Sequence, residues 1–294
     1  MSDSDDEVAH FLTCRDHDNL LFVSDKGKAY SIRAFQVPKA SRTAKGVPVP
    51  QSLPVSADEK ISSVIPLSNF KQDEYLILLT KRGWIKKTSL AAFRFLTARG
   101  LTIISLEKGD ELLWVKVCME KDSIIIGTSK GKAMRFAADS KQLRASGRNS
   151  RGVIAMRYKS DDFPVDFDII QNEKTNEHRS IIAITSKGYG KRVNIDEFKL
   201  QMRGGQGVIA IKYKGKASAD KLCALRIVKA DEQLLLSTNQ GTIVRLPAWK
   251  ITEQTRVATG VLVQKLAEGD EIASIALVNP DFLVLEDDPT KHEK

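Results

Sequence analysis

"IIAITSKG", Ile181 to Gly188, is a short aliphatic run that closes on a threonine, two polar residues and a glycine. A run this short, bounded by a turn signal, fits a buried strand better than a helix. A polar pair ending in glycine fits a hairpin turn, because glycine accepts positive φ at little cost. The pattern occurs four more times, as "LLFVSDKG", "LILLTKRG", "IIIGTSKG" and "LLLSTNQG". The five glycines are Gly27, Gly83, Gly131, Gly188 and Gly241, spaced 56, 48, 57 and 53 residues apart. A second landmark follows each: "RTAKG", "LTARG", "RNSRG", "RGGQG" and "RVATG" end at Gly46, Gly100, Gly152, Gly207 and Gly260. The offsets between the two glycines are 19, 17, 21, 19 and 19 residues. Four of the five copies read R-x-x-x-G, and the second has Leu96 in the arginine's place. Five copies at offsets this tight are an internal repeat, and the repeat decides the fold.

Each unit carries about four apolar strands. The run before the first glycine is followed by a return strand such as "WIKKTSL" or "KAMRF", then by "GVIAMRY" or "GVIAIKY", then by "LLWVKVCM" or "EIASIAL". Four strands in about fifty residues is the arithmetic of a propeller blade, and solenoid repeats are usually shorter. The expected fold is all-β: a propeller-like disc of four-stranded blades with five visible repeats, near 20–74, 75–122, 123–179, 180–232 and 233–279. "VAHFLTCR" reads as a possible leftover strand of a preceding blade. One domain over 8–285 is expected between a disordered acidic tail at 1–7 and a charged tail at 286–294.

Net charge narrows the function classes. The chain carries +9, and its tails carry −4 ("DSDDE") and −2 (286–294), which leaves about +15 for the body. Such a body attracts a polyanion, with nucleic acid as the default, and the two acidic tails are expected to compete for it. No run approaches a membrane span, and the acidic start is neither a signal nor a transit peptide. Cys14, Cys118 and Cys223 are odd in number and never form C-x-x-C, which argues against a disulfide framework or a zinc site. The four histidines are scattered, no phosphate-loop or metalloprotease motif occurs, and no metal, cofactor or catalytic residue is expected. Glu107 with Asp110 and Glu268 with Asp270 recur in matching turns, so they read as turn geometry. Tyr158 and Tyr213 also recur, six residues after their glycines, and read as structural strand tyrosines.

Positive charge is what recurs in the repeat. Four residues after the first glycine stand Lys87, Arg135, Arg192 and Arg245, with Lys86, Lys132 and Lys191 close by. Arg42, Arg148, Arg203 and Arg256 open the second loops, and Lys45, Arg99 and Arg151 stand just before the closing glycines. Blades in a ring bring equivalent positions to one rim, so these residues, with Gly204 and Gly205 in "QMRGGQG", are the candidate DNA-binding set. A basic belt on a curved rim suits a duplex bent around it, held through phosphates without base readout. Aromatics are sparse and do not interleave with the basic residues, which disfavours single strands. A protein-interaction propeller and an enzyme with a central-channel site are the competing classes.

"LLFVSDKGKAYSIRAFQVPKASRTAKGVP", "GWIKKTSLAAF", "ASGRNSRGV", "GYGKR" and "NIDEFKLQMRGGQGVIAIK" resemble the C-terminal domain of gyrase A, one of the two DNA gyrase proteins, from about Val8 to Ile275. The resemblance implies a β-pinwheel, a disc whose neighbouring blades exchange strands. It also implies wrapping of double-stranded DNA to support negative supercoiling, with the remainder of gyrase A and with gyrase B as partners. The catalytic tyrosine and the ATP site would then lie outside this chain, in a bacterial cytoplasmic or plastid enzyme. The family pattern has six repeats, and its box, approximately Q-[KR]-R-G-G-[KR]-G, belongs to the first blade. Here the nearest match is Gln201–Gly207 in the fourth repeat, with Met202 and Gln206 in place of basic residues. That departure fits a fragment beginning just after the first box, or the related C-terminal domain of topoisomerase IV.

Overall fold

The computed structural model describes residues 10, 12–41, 44, 46–159, 161–172, 179–215 and 219–278. The first repeat forms β1 (Asn19–Ser24), β2 (Lys28–Arg33) and β3 (Ile61–Leu67). The second forms β4 (Glu74–Thr80), β5 (Trp84–Ser89), β6 (Leu101–Thr102) and β7 (Leu112–Met119). The third forms β8 (Ser123–Thr128), β9 (Lys132–Ala137), β10 (Val153–Ile154) and β11 (Pro164–Ile170). The fourth forms β12 (Arg179–Thr185), β13 (Tyr189–Asn194), β14 (Val208–Ile209) and β15 (Leu222–Lys229). The fifth forms β16 (Gln233–Thr238), β17 (Ile243–Pro247), β18 (Val261–Leu262) and β19 (Ile272–Val278).

The sheets do not follow the repeat boundaries. Their orders are β3-β1-β2-β6, β7-β4-β5-β10, β11-β8-β9-β14, β15-β12-β13-β18 and, among the described residues, a three-stranded β19-β16-β17. Each two-residue outer strand therefore belongs to the repeat after the blade it completes. Val153 pairs with Ile85, Val208 with Ala133, and Val261 with Gly190. The result is the expected all-β pinwheel, five antiparallel blades in a ring with strands exchanged between neighbours. The strands anticipated after the second glycines are only two residues long, because each loop touches its neighbour's edge and turns back.

Burial explains the aliphatic runs. In the second to fourth blades the strand beside the inner one packs against blades on both sides, and all six residues of β8 are buried. Strands covered on both faces read as continuous apolar runs rather than alternating ones. Four hydrophobic clusters fill the interfaces between successive blades; Ile77, Ile124, Phe136 and Phe167 share one of them. The inner strands β3, β7, β11, β15 and β19 surround a cavity of about 760 Å³. Two ion pairs tie its wall together, Lys116–Asp168 at 2.6 Å and Arg226–Asp166 at 2.9 Å.

The recurrent carboxylates close turns. Asp110 Oδ1 accepts from the Arg82 and Glu111 amides at 3.0 and 2.9 Å, and Asp270 Oδ1 from those of Gln240 and Glu271 at 3.1 and 2.9 Å. Tyr158 and Tyr213 are structural, but both lie just outside strands. Tyr158 covers the Gly83 turn, where a Cβ would stand 2.2 Å from its ring. The Tyr213 hydroxyl donates to Ser129 O at 2.5 Å, and burial raises both phenols above their ordinary range. Neither strand nor helix forms at His10 or Leu12–Arg15. The rest of the leftover-strand segment (Val8, Ala9 and Phe11), like both acidic tails, lies outside the described residues.

Candidate nucleic-acid interface

The rim loops share one construction. The third strand of a blade runs into a short turn, which is 3₁₀ at Ala34–Gln36, Leu90–Phe93, Ile195–Glu197 and Ala248–Lys250 and a plain turn after β9. The chain then crosses to the preceding blade and meets its third strand at one parallel bridge: Ala145 beside Lys87, Leu200 beside Arg135, Glu253 beside Arg192. The R-x-x-x-G segment follows, and its closing glycine delivers the two-residue outer strand. Gly152 shows why glycine is needed there: its φ is +97°, and a Cβ would stand 2.4 Å from Ile85 O.

The structure divides the sequence-predicted basic residues into distinct groups. Lys86, Lys87 and Lys191 do not face solvent; they are 1%, 0% and 0% exposed. The Lys86 ammonium donates to Ile103 O, Arg148 O and Ser150 O at 2.8, 2.6 and 3.2 Å. Lys191 donates to Thr255 O, Arg256 O and Ala258 O at 2.8, 2.7 and 2.7 Å. A lysine ammonium has three donors, and each of these meets three loop carbonyls, which offsets the cost of burying the charge. Burial pulls both amines down to about 8. Lys87 donates to Ala138 O and Glu120, both at 2.6 Å, and lies 4.7 Å from the centre of the Tyr75 ring. Taken as surface phosphate contacts, these three lysines are misplaced. The third strand here is sandwiched between its own blade and the crossing loop, so its basic residues point into the loop.

Arg135 and Arg192 are half-buried and act similarly, donating to Phe198 O at 3.3 Å and Ile251 O at 2.8 Å in the crossing loops. Arg203 and Arg256 reach sideways, each giving Nη1 to the outer strand of the preceding loop, at Ile154 O and Ile209 O, both at 2.5 Å. Lys132 is half-buried, while Arg99, Arg148, Arg151 and Arg245 are exposed. Arg151 stacks on Trp84 at 3.8 Å and pairs with Glu107. Arg245 Nε donates to Gln233 at 3.3 Å. Arg42 and Lys45 lie outside the described residues.

The "QMRGGQG" loop lacks a lysine beneath it. The residue three after the first glycine is Tyr30, Lys86, Met134, Lys191 and Val244 in successive repeats, and this loop lies over Met134. Arg157 N donates to Gly205 O at 2.8 Å, as Ser105 N and Lys212 N donate to Ser150 O and Ala258 O of the clamped loops at 3.2 Å, and here Gly204 N adds a bond to Ala155 O at 2.8 Å. Arg203 is further held by Gln142, which accepts from its amide at 2.9 Å and from its Nε at 2.6 Å. Gly204 has φ +82° with open space at its Cβ position. Met134, Gln142 and Trp84 were missed by sequence reasoning. The column three after the glycine was legible, because its alternation of lysine with other residues stands in the alignment.

Among the described residues no three metal-ligating side chains converge, and no helix is long and apolar enough to cross a membrane. The model of the DNA gyrase C-terminal domain, beta-propeller, matches five stretches: residues 18–68, 74–119, 122–170, 179–229 and 232–279. The gyrase A protein of Synechocystis sp. (strain ATCC 27184 / PCC 6803 / Kazusa) is 46% identical, over 94% of this chain and 35% of its own length. The chloroplastic/mitochondrial gyrase A protein of Nicotiana benthamiana is 36% identical, over 93% of this chain and 31% of its own. The chain thus spans about a third of the length of these curated relatives. Two solved structures share the fold. A C-terminal domain of DNA topoisomerase IV has TM-score 0.80 at 23% identity, over 90% of this chain and 80% of that one. A DNA gyrase A C-terminal domain has TM-score 0.73 at 24% identity, over 90% and 83%. With all five repeats matched, the chain belongs to the DNA gyrase C-terminal domain family.

Proposed function

We propose that this chain is a non-catalytic module that binds double-stranded DNA without reading its sequence and wraps it around the rim of the disc. The carrying observation is the exposure of Arg99, Arg148, Arg151 and Arg245 at recurrent loop and strand positions of the second, third and fifth repeats. Neutralising phosphates along the rim releases counterions, and spreading the contacts offsets the elastic cost of the bend. Lys86, Lys87 and Lys191 serve the same function indirectly, by fixing the loops that carry the arginines. In this reading the chain works within a gyrase, beside the remainder of gyrase A and beside gyrase B, in a bacterial cytoplasm or a plastid. Strand cleavage and ATP hydrolysis belong to those other parts.

Ligation of a nicked circle in the presence of the chain tests the reading. A shift in linking number at saturating protein, lost steeply as salt rises, is expected. An unchanged linking number would sink the wrapping claim, and salt-insensitive weak binding would favour a protein-interaction propeller.

A further inference from the structure

The rim carries apolar side chains that its basic chemistry does not use. Five residues before the closing glycine of each rim loop stand Phe95, Gly147, Met202 and Thr255 in repeats two to five. Phe95 is 89% exposed and Met202 is 74% exposed. Single exposed apolar residues are ordinary on protein surfaces. These two share one position in the repeat, and both are held outward by anchored neighbours. Phe93 is buried and Leu96 packs against the core on either side of Phe95, with Leu96 N donating to Phe93 O at 3.0 Å. Gln201 N donates to Arg135 O at 2.8 Å and Arg203 is bound to Gln142 on either side of Met202, whose sulfur also receives the Gln142 amide at 3.0 Å.

The pattern is paired with the loop chemistry. The loops with Gly147 and Thr255 are the ones whose carbonyls Lys86 and Lys191 clamp, and they carry no projecting apolar group at this position. The loops with Phe95 and Met202 lie over Tyr30 and Met134. Lysine-clamped loops and loops with projecting apolar residues therefore alternate around the edge.

We propose that Phe95 and Met202 are wedges that enter the minor groove of the wrapped duplex and partly unstack one base step each, two repeats apart. Phe and Met are among the side chains that unstack base steps in DNA-bending proteins, and an unstacked step concentrates a bend that would otherwise be spread elastically. Arg94, exposed beside Phe95, supplies charge for the phosphate next to that wedge, while Arg203 fixes the Met202 loop through Gln142 O and Ile154 O. Flexible pyrimidine–purine steps yield most easily, so the wedges give the rim a preference for phasing such steps without reading base edges. The inference rests on the DNA-wrapping reading above.

Permanganate, which oxidises unstacked thymines, tests it on a mixed-sequence linear duplex bound to the whole chain. Reactive thymines at pyrimidine–purine steps are expected in the complex. They should fall to the level of free DNA in the F95A/M202A double variant, with affinity about tenfold weaker. F95L should retain the full reactivity, and F95S should lose the share due to Phe95 while the share due to Met202 persists. Both sites are solvent-exposed, and an unchanged far-ultraviolet spectrum and steep salt dependence would show that each variant is folded and still bound by its charge. Binding by the unaltered chain without reactive thymines, or reactivity that survives in F95A/M202A, overturns the wedges and leaves wrapping intact. Failure of the unaltered chain to bind duplex DNA at low salt overturns both.

Discussion

The loop closed by Gly260 and the loop closed by Gly207 occupy equivalent places on neighbouring blades, yet different chemistry holds them. Beneath the first, the Lys191 ammonium collects three carbonyls. Beneath the second lies Met134, and the loop bonds to the adjacent loop through Gly204 N and Gly205 O. A crossing loop leaves carbonyls turned inward, where they require donors. A buried ammonium supplies all of them from below. Both loops also accept one amide from the loop before them, Lys212 N at Ala258 O and Arg157 N at Gly205 O, and the second adds Gly204 N to Ala155 O from a left-handed glycine.

The sharpest way to break this comparison is through the glycines themselves. Gly207→Ala places a Cβ 2.6 Å from Ala133 O at φ +68°, so both the turn and the strand exchange are strained. A loss of about 3 kcal/mol is expected in urea unfolding. Gly204→Ala, at φ +82° but in open space, should cost only the left-handed backbone penalty of about 1 kcal/mol. Equal losses at the two positions would mean that packing against the neighbouring blade is not what Gly207 serves.

Lys191→Met puts into blade four the residue that blade three already has. Thr255 O keeps the Ala258 amide at 3.1 Å and Ala258 O keeps the Lys212 amide at 3.2 Å, so Arg256 O is the carbonyl left seeking water. A loss of about 2 kcal/mol, with faster amide exchange in the Gly260 loop, is expected. No change in exchange would show that the clamp is dispensable.

The smallest effect is a pH dependence. Burial holds the Lys86 and Lys191 amines at about 8, below the ordinary 10.5. Between these values the unfolded chain binds the protons more tightly, so folded stability should rise with pH across that window. Thermal unfolding at pH 7.5 and pH 8.5, below most of the range where unfolded thiols and phenols ionise, should show a rise that the Lys86→Met/Lys191→Met double variant flattens.

Much of the architecture was legible because the repeat's punctuation is physical. Gly83, Gly131 and Gly188 sit at positive φ in the hairpins that their sequences announced. The length of the outer strands was not legible, since "GVIAMRY" and "GVIAIKY" are apolar enough for full strands. Only the geometry of exchange limits them to two residues. In the site, Arg148 and Arg151 stayed on the surface as anticipated, whereas Lys86, Lys87 and Lys191 were drawn inside. Counting recurrent charge cannot separate these cases, because a lysine on a strand covered by a crossing loop looks the same in sequence as one on an open edge.

The exchange of outer strands also sets how the molecule comes apart. The amides of Val153 and Ile154 belong to the third repeat, but their strand exists only while β5 of the second is in place. Loosening one blade therefore releases a segment of the next, and the disc opens as overlapping links rather than as separable tiles. A deletion that respects the sequence repeat leaves one blade short of an edge. The unit that can be removed cleanly is staggered, from one crossing loop to the next.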